Sequence, residues 1–413
     1  MMVANNLEEN MDGALDQHHS PSFHLNADRV FDFRDPEVLN DQECAFDQLL
    51  QQQPIVKNQE ANSYTLFKHA DVMAVICDDV HFSARASKYL FVPHGLDDPE
   101  HHLYRQAILT TFIPEKMQPL LPKYREIARA LADDMLAADT CVDMQAFAFR
   151  YAARVKLLML GWGLDLDQVC IDWTLANLAA SLADDKQQNI KNAEAWNTLV
   201  YSQLENTRKN AQSHVGGESV LGTLAYDLLQ LRVKGKPIPD AEISSIIRNV
   251  NMGIVSSLAF NIGNCIQFLA EHGALQQKIR QDMTLLPEAL DEITRIHGAL
   301  VQSKRLVKKS ITIRGVRFEP GEIVYVNWCA ANRDPDVFSE PHMFKSGRDH
   351  TQHLMYGAGA HECTGIRLSR IILEIALGTV LERTTDFQLD PQHQPIKMVF
   401  PANGYRYLPI WVE

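Results

Sequence analysis

The stretch Tyr356-Gly357-Ala358-Gly359-Ala360-His361-Glu362-Cys363-Thr364-Gly365 decides how the rest of the chain is read. Two glycines before a cysteine and one after it permit tight turns and close backbone approach to something flat. Strong apolar periodicity follows at once and predicts a helix over Ile366 to Arg383. Cys363 therefore stands just before a helix N-terminus, where the dipole and free N–H groups favour a thiolate. Backbone N–H groups aimed at the sulfur would also tune a bound metal. The ordinary alternative is a buried structural cysteine in a glycine-rich loop.

Working outward, helical spacing covers about Pro114 to Leu136, Met144 to Trp162, Asp240 to His272 and Pro287 to His297. The segment Asp240 to His272 is long, free of proline and apolar on most faces, as expected of a helix inside a large protein. Strand signals are fewer and late. Ser310 to Phe318 alternates, Glu319-Pro320-Gly321-Glu322 reads as a turn and Ile323 to Val326 resumes, which predicts a hairpin. Tyr405 to Val412 is also strand-like. The layout is mainly α with small β-sheets, and no linker divides it.

The chain has 413 residues, 46% of them apolar, and a formal net charge of −13. That charge argues against non-specific nucleic-acid binding, which needs clustered Lys and Arg. No run reaches the roughly 18 consecutive apolar residues of a membrane span. The polar, acidic N-terminus does not read as a secretory signal, so a cytoplasmic protein without membrane insertion is expected, with residues 1–22 as a floppy tail. The seven cysteines are scattered and never form a C-x-x-C pair, which argues against a disulfide framework and a structural zinc site.

The Gly-x-Gly-x-His-x-Cys-x-Gly spacing resembles the cysteine-ligand loop of cytochromes P450. Tyr356 stands where that family usually has Phe, and Thr364 where it usually has an apolar residue. The resemblance continues in order along the chain. Glu292-Ile293-Thr294-Arg295 looks like the family's Glu-x-x-Arg pair, a buried ion pair that locks the structure. Ala330 to Pro335, with Phe338, Pro341, Phe344 and Arg348, looks like the stretch before the Cys loop, and Phe82 to Arg85 and Asp98 to Arg105 look like the early motifs. The resemblance implies the triangular, mainly α cytochrome P450 fold as one catalytic domain over residues 23–413. It implies haem b, with Cys363 as axial ligand of the iron. It assigns the haem propionates to His101, Arg105, Arg305 and His361, leaving His102 aside. A surface role beside Lys304, Lys308 and Lys309 is the alternative for Arg305.

One departure matters. The family's central helix usually carries an acid–alcohol pair that relays protons to iron-bound oxygen. Here the window is Gly253-Ile254-Val255-Ser256-Ser257, so Ser257 takes the alcohol position and Ser256 replaces the acid. Both serines could instead cap backbone carbonyls. The resemblance implies a monooxygenase that inserts one atom of O2 into a C–H bond of a largely apolar small molecule, by hydroxylation or O-dealkylation. Electrons would come from NAD(P)H through a separate ferredoxin and ferredoxin reductase. Arg367, Arg370, Lys116 and Lys123 are candidates for the ferredoxin docking face. A peroxide-using or coupling haem-thiolate enzyme, or a non-catalytic haem-binding protein, stays open because of the two serines. By resemblance, Leu90, Phe91, Val92, Val255, Leu300, Val301 and Gln302, with Phe400 to Asn403, are expected near the substrate, Gln302 or Asn403 giving a polar contact.

Overall fold

The computed structural model describes residues 32–59, 61–138, 141–212 and 221–413. The expected tail, residues 1–22, lies outside them.

Helix ends follow local chemistry. Asp143 accepts hydrogen bonds from the N–H groups of Gln145 and Ala146 and starts Met144–Leu160, which Gly161 ends at φ 73°. The expected helix after the Cys loop is Ile366–Arg383. Its Leu368, Ile372, Leu373, Leu377 and Val380 are buried in the main core, each contributing about 1.5–3 kcal/mol by leaving water. It packs against Leu121–Ala138, Ala259–Glu271 and Leu286–Ile296.

The long central element is not one uniform α-helix. Asp240–Asn251 and Ala259–Glu271 are α-helical, and Met252–Leu258 between them is a π-helix. By length and composition Asp240–Glu271 could cross a membrane, but 72% of its apolar window is buried within the fold, which makes it a core helix.

A five-stranded sheet runs in the order Ile55–Asn58, Ser63–Leu66, Ile323–Asn327, Gln302–Val307 and Phe82–Ser83. This corrects the expected hairpin. Ile323–Asn327 pairs antiparallel with Gln302–Val307 and parallel with Ser63–Leu66, not with the preceding alternating stretch. That stretch folds on itself, Ile311–Ile313 against Val316–Phe318. The turn is made by Arg314 and Gly315, at φ 47° and 76°. Two consecutive left-handed residues make a tight two-residue turn, and an arginine there gives little warning in the sequence. Tyr405 to Val412 is likewise split: Gly404–Tyr407 pairs with Ile396–Met398, while Pro409–Val412 joins Phe387–Leu389 and Cys141–Asp143.

The two ends of the described chain are clasped. The Gln42 side chain donates to Ala402 O at 3.1 Å and Asn403 Oδ1 at 2.9 Å, and accepts from Phe400 N at 3.0 Å. Phe400 stacks on Phe33 with ring centroids 5.1 Å apart.

Candidate active site

The Cys loop is built as its glycines demand. Gly357 and Gly359 both take φ 69°. A Cβ on Gly359 would sit 3.2 Å from Cys77 Sγ, so bulk there is opposed by contact as well as conformation. Cys363 N–H donates to Tyr356 O at 2.8 Å and closes the loop, and Gly365 N–H donates to Cys363 Sγ at 3.3 Å. The Thr364 hydroxyl makes no hydrogen bond to a described residue, so it does not compete for the sulfur. Burial pushes the Cys363 thiol up, more than the Gly365 N–H and the Arg105 charge pull it down. The Gly365 N–H thus acts in the direction expected of the loop, against the effect of burial.

His101, Arg105, Arg305 and His361 converge. The His101 and His361 rings lie 3.9 Å apart, His101 is buried, and Arg105 donates to Glu362 O beside Cys363. Arg305 extends from the strand Gln302–Val307, where it lies opposite Val324. Its guanidinium donates to Lys304 O at 3.0 Å, and among the described residues no carboxylate lies within ion-pair distance of it. A fifth group joins them: His94, in the loop before His101, is within electrostatic reach of His101, Arg105 and Arg305. Burial pushes His94 down to about 4 and holds Arg305 below its ordinary value. His361 is pushed down to about 3, by burial first and then by His101 and Arg305.

The buried Nδ1 atoms of His94 and His361 have no hydrogen-bond partner. His101 Nδ1 lies 3.4 Å from Asp98 Oδ1, but basic side chains gathered around orphaned buried nitrogens are costly in isolation. The donor set fits a group that presents two carboxylates to this face and a metal to the Cys363 sulfur. His94 escaped the sequence reading because a lone histidine between Pro93 and Gly95 carries no spacing signal.

The Ser256–Ser257 window lies in the π-helix. Ser256 is buried and Ser257 partly so, and neither hydroxyl is hydrogen-bonded to a described residue; the carbonyl-capping alternative is not what the structure contains. Nothing lies within 4 Å of where a Cβ on Gly253 would stand, which leaves open space beside the helix.

The expected substrate residues separate. The loop before His101 is tied to the central helix: Val92 N–H donates to Ser245 Oγ at 3.0 Å, and Asn249 Nδ2 donates to Val92 O at 2.7 Å. Yet Leu90 and Phe91 are 43% and 42% exposed, so of the three only Val92 is buried. Val255 is buried in the main core. Leu300 bridges Ala402 and lies against the sheet cluster, whereas Val301 packs beside Phe400 in the N-terminal helix cluster. Gln302 keeps a buried Oε1 without a partner. Asn403 does not offer the alternative polar contact: its Nδ2 donates to Glu43 Oε1 at 2.7 Å and Gly298 O at 3.2 Å, and its Oδ1 accepts from Gln42.

Glu292 and Arg295 are both fully buried and bonded twice, at 2.8 and 2.9 Å. Arg295 also donates to Asn332 O and Pro341 O, and Arg348 Nε donates to Glu292 Oε1 at 2.8 Å. Of the four docking candidates, Arg370 is paired with Asp291 and Lys116 with Asp227, while Arg367 is exposed on the Cys helix.

Residues 264–405, which include the Glu-Arg pair and the Cys loop, match the family model described as "Cytochrome P450". A biflaviolin synthase of Streptomyces coelicolor is 28% identical over 75% of this chain and 72% of its own length. An erythromycin C-12 hydroxylase of Saccharopolyspora erythraea is 24% identical over 84% of this chain and 88% of its own. Among solved structures, CYP109E1 from Bacillus megaterium in complex with testosterone superposes with a TM-score of 0.78 at 22% identity, over 90% of this chain and 99% of that one. A mutant of P450 EryK in complex with erythromycin B does so with a TM-score of 0.80, again at 22% identity, over 90% and 96%. The mainly helical fold is that of solved cytochromes P450, and the segment carrying the Glu292–Arg295 pair and the Cys363 loop matches the cytochrome P450 model, so the chain is similar to the bacterial cytochrome P450 monooxygenases.

Proposed function

We propose that this chain inserts one oxygen atom from O2 into a C–H bond of a largely apolar small organic molecule, with haem b held by Cys363. The observation that carries the reading is the convergence of five basic side chains beside that sulfur, two of them with buried Nδ1 atoms that lack partners and, among the described residues, only His101 paired with a carboxylate, that of Asp98. His101, Arg105, Arg305 and His361 would hold the propionates, with His94 as a further donor. Gly365 N–H would keep its bond to the sulfur and moderate its charge. When bound, haem supplies oxygen activation and transfer.

The chain's own residues supply the rest. Ser257 Oγ, free of partners among the described residues, would hand on protons through water, with Ser256 Oγ behind it. Val92 and Val255 would exclude water, and Gln302 Oε1 would accept one hydrogen bond from the substrate. The main core runs from Val92 to Val412, and smaller clusters join Phe33 to Phe400 and Tyr64 to Leu354, which supports one catalytic unit, assigned to residues 23–413. Electrons would come from NAD(P)H through a ferredoxin reductase and a ferredoxin in the cytoplasm, docking near Arg367. Relatives named as a hydroxylase and an epoxidase support oxygen insertion. The absence of a carboxylate at Ser256 and Ser257 supports a second reading, a peroxide-using or coupling reaction.

The ligand is tested with carbon monoxide. The reduced holoenzyme is expected to show the red-shifted Soret band of thiolate ligation, and Cys363→Ser to lose it; a band that persists in Cys363→Ala sinks the assignment. Turnover with a surrogate ferredoxin, reductase and NADH, set against peroxide alone, separates the two readings.

A further inference from the structure

Away from the Cys loop, Cys141, Asp390 and His393 come together at the three-stranded sheet. Their ligand atoms all lie within 4.8 Å of one another. Cys141 belongs to the strand Cys141–Asp143, opposite Trp411. Asp390 follows Phe387–Leu389, and its N–H donates to Pro409 O at 3.2 Å. The central strand Pro409–Val412 thus lies between the two segments, and His393 returns on the turn after Asp390. The Cys141 thiol donates to Asp390 Oδ2 at 2.8 Å, and His393 Nδ1 lies 2.6 Å from the same oxygen.

We propose that these three side chains form a second metal site, for a thiophilic divalent cation of the zinc type. The donors are one thiol sulfur, one imidazole nitrogen and one carboxylate oxygen, the set such a cation accepts. Asp390 is buried and already draws the other two side chains to one carboxylate oxygen, where a cation would sit. The Cys141 thiol and the His393 imidazole now share one oxygen of the third ligand, Asp390 Oδ2. A metal entering between them takes over those contacts: the Cys141 proton leaves to solvent, and sulfur, Nδ1 and carboxylate oxygen each bind the cation. Asp390 also lines a surface cavity of about 270 Å³ with Gln388, Gln392 and Trp411, which brings solvent to its side of the cluster. Because Asp143 caps the buried helix Met144–Leu160, the site would pin the strand that launches that helix.

The test uses haem-loaded holoenzyme dialysed against micromolar zinc. Metal analysis is expected to give one zinc per haem iron, and X-ray absorption at the zinc edge one sulfur at about 2.3 Å with nitrogen or oxygen at about 2.0–2.2 Å. His393→Ala, at an exposed position, and Cys141→Ser are expected to weaken zinc binding at least about tenfold while haem content is kept, the loss of one ligand being worth a decade or more. Zinc retention unchanged in both variants, or a zinc shell without sulfur, overturns the proposal. A Cys141→Ser protein that does not fold leaves His393→Ala to decide.

Discussion

At the scale of single residues, the basic cluster makes the sharpest demand. Arg305 is part-buried, with Asp79 and Asp97 within electrostatic reach but no carboxylate among the described residues at ion-pair distance, and two histidine nitrogens nearby lack partners. Replacing such a donor removes a charge-assisted hydrogen bond worth about 1.5–3 kcal/mol. Arg305→Gln is therefore expected to speed haem loss to apomyoglobin about 10- to 100-fold. His94→Ala is expected to do so more weakly, because burial keeps that ring neutral near pH 7. An Arg305→Gln protein that holds haem as tightly as the parent would remove the guanidinium from the propionate contacts. The four expected basic residues could be read because each stands at a fixed place in a motif. His94 could not, since its neighbours arrive from the strand Gln302–Val307 and from the helix Glu100–Leu109. The direction of a side chain was equally hidden: apolar Leu90 and Phe91 point to solvent, and Asn403 is saturated by Gln42 and Glu43.

At the scale of elements, the central helix combines a legible sequence with an illegible geometry. Its length and burial follow from apolar residues on nearly every face. The π-helical turn over Met252–Leu258 does not, because an i→i+5 ladder leaves no compositional mark. That turn carries Ser257, whose hydroxyl has no partner among the described residues and is free to hold water. Ser257→Ala is expected to lower product per NADH by up to about 10²-fold while NADH consumption continues and hydrogen peroxide accumulates. Ser257→Thr is expected to restore coupling. Equal coupling in the alanine variant and the parent would take Ser257 out of proton delivery. The hairpin shows the same limit at strand level: alternation located the strands but not their partners, since Arg314 gives no turn signal.

At the scale of the whole molecule, the Glu292–Arg295–Arg348 junction ties a helix to the segment leading into the Cys loop. Burial alone would raise the Glu292 carboxyl, but the bonds and charges of Arg295 and Arg348 outweigh it and hold it below its ordinary value of 4.5. A depressed carboxyl contributes stability above its unfolded pKa, and that contribution fades as pH falls through the folded value. Denaturant titrations from pH 7 down are expected to show stability falling below about pH 4.5, with a shallower slope in Arg348→Gln. Replacing Glu292 by Gln is expected to destabilise by about 3–5 kcal/mol, as uncompensated buried guanidinium groups do. An unchanged pH slope in Arg348→Gln would mean the carboxyl is held by other means. The pair itself was legible from its spacing; the third member was not, because Arg348 lies far along the chain.

The clasp between Gln42 and the segment Phe400–Asn403 has a consequence for biosynthesis. Its halves lie 361 positions apart, so the earlier half must wait unsatisfied while nearly all the rest is translated. A nascent polypeptide whose last strands still occupy the ribosomal exit tunnel cannot close this junction. The first helices therefore gain their final packing only once Phe400–Asn403 has left the tunnel, and so does the floor beneath Leu300, which is bridged to Ala402.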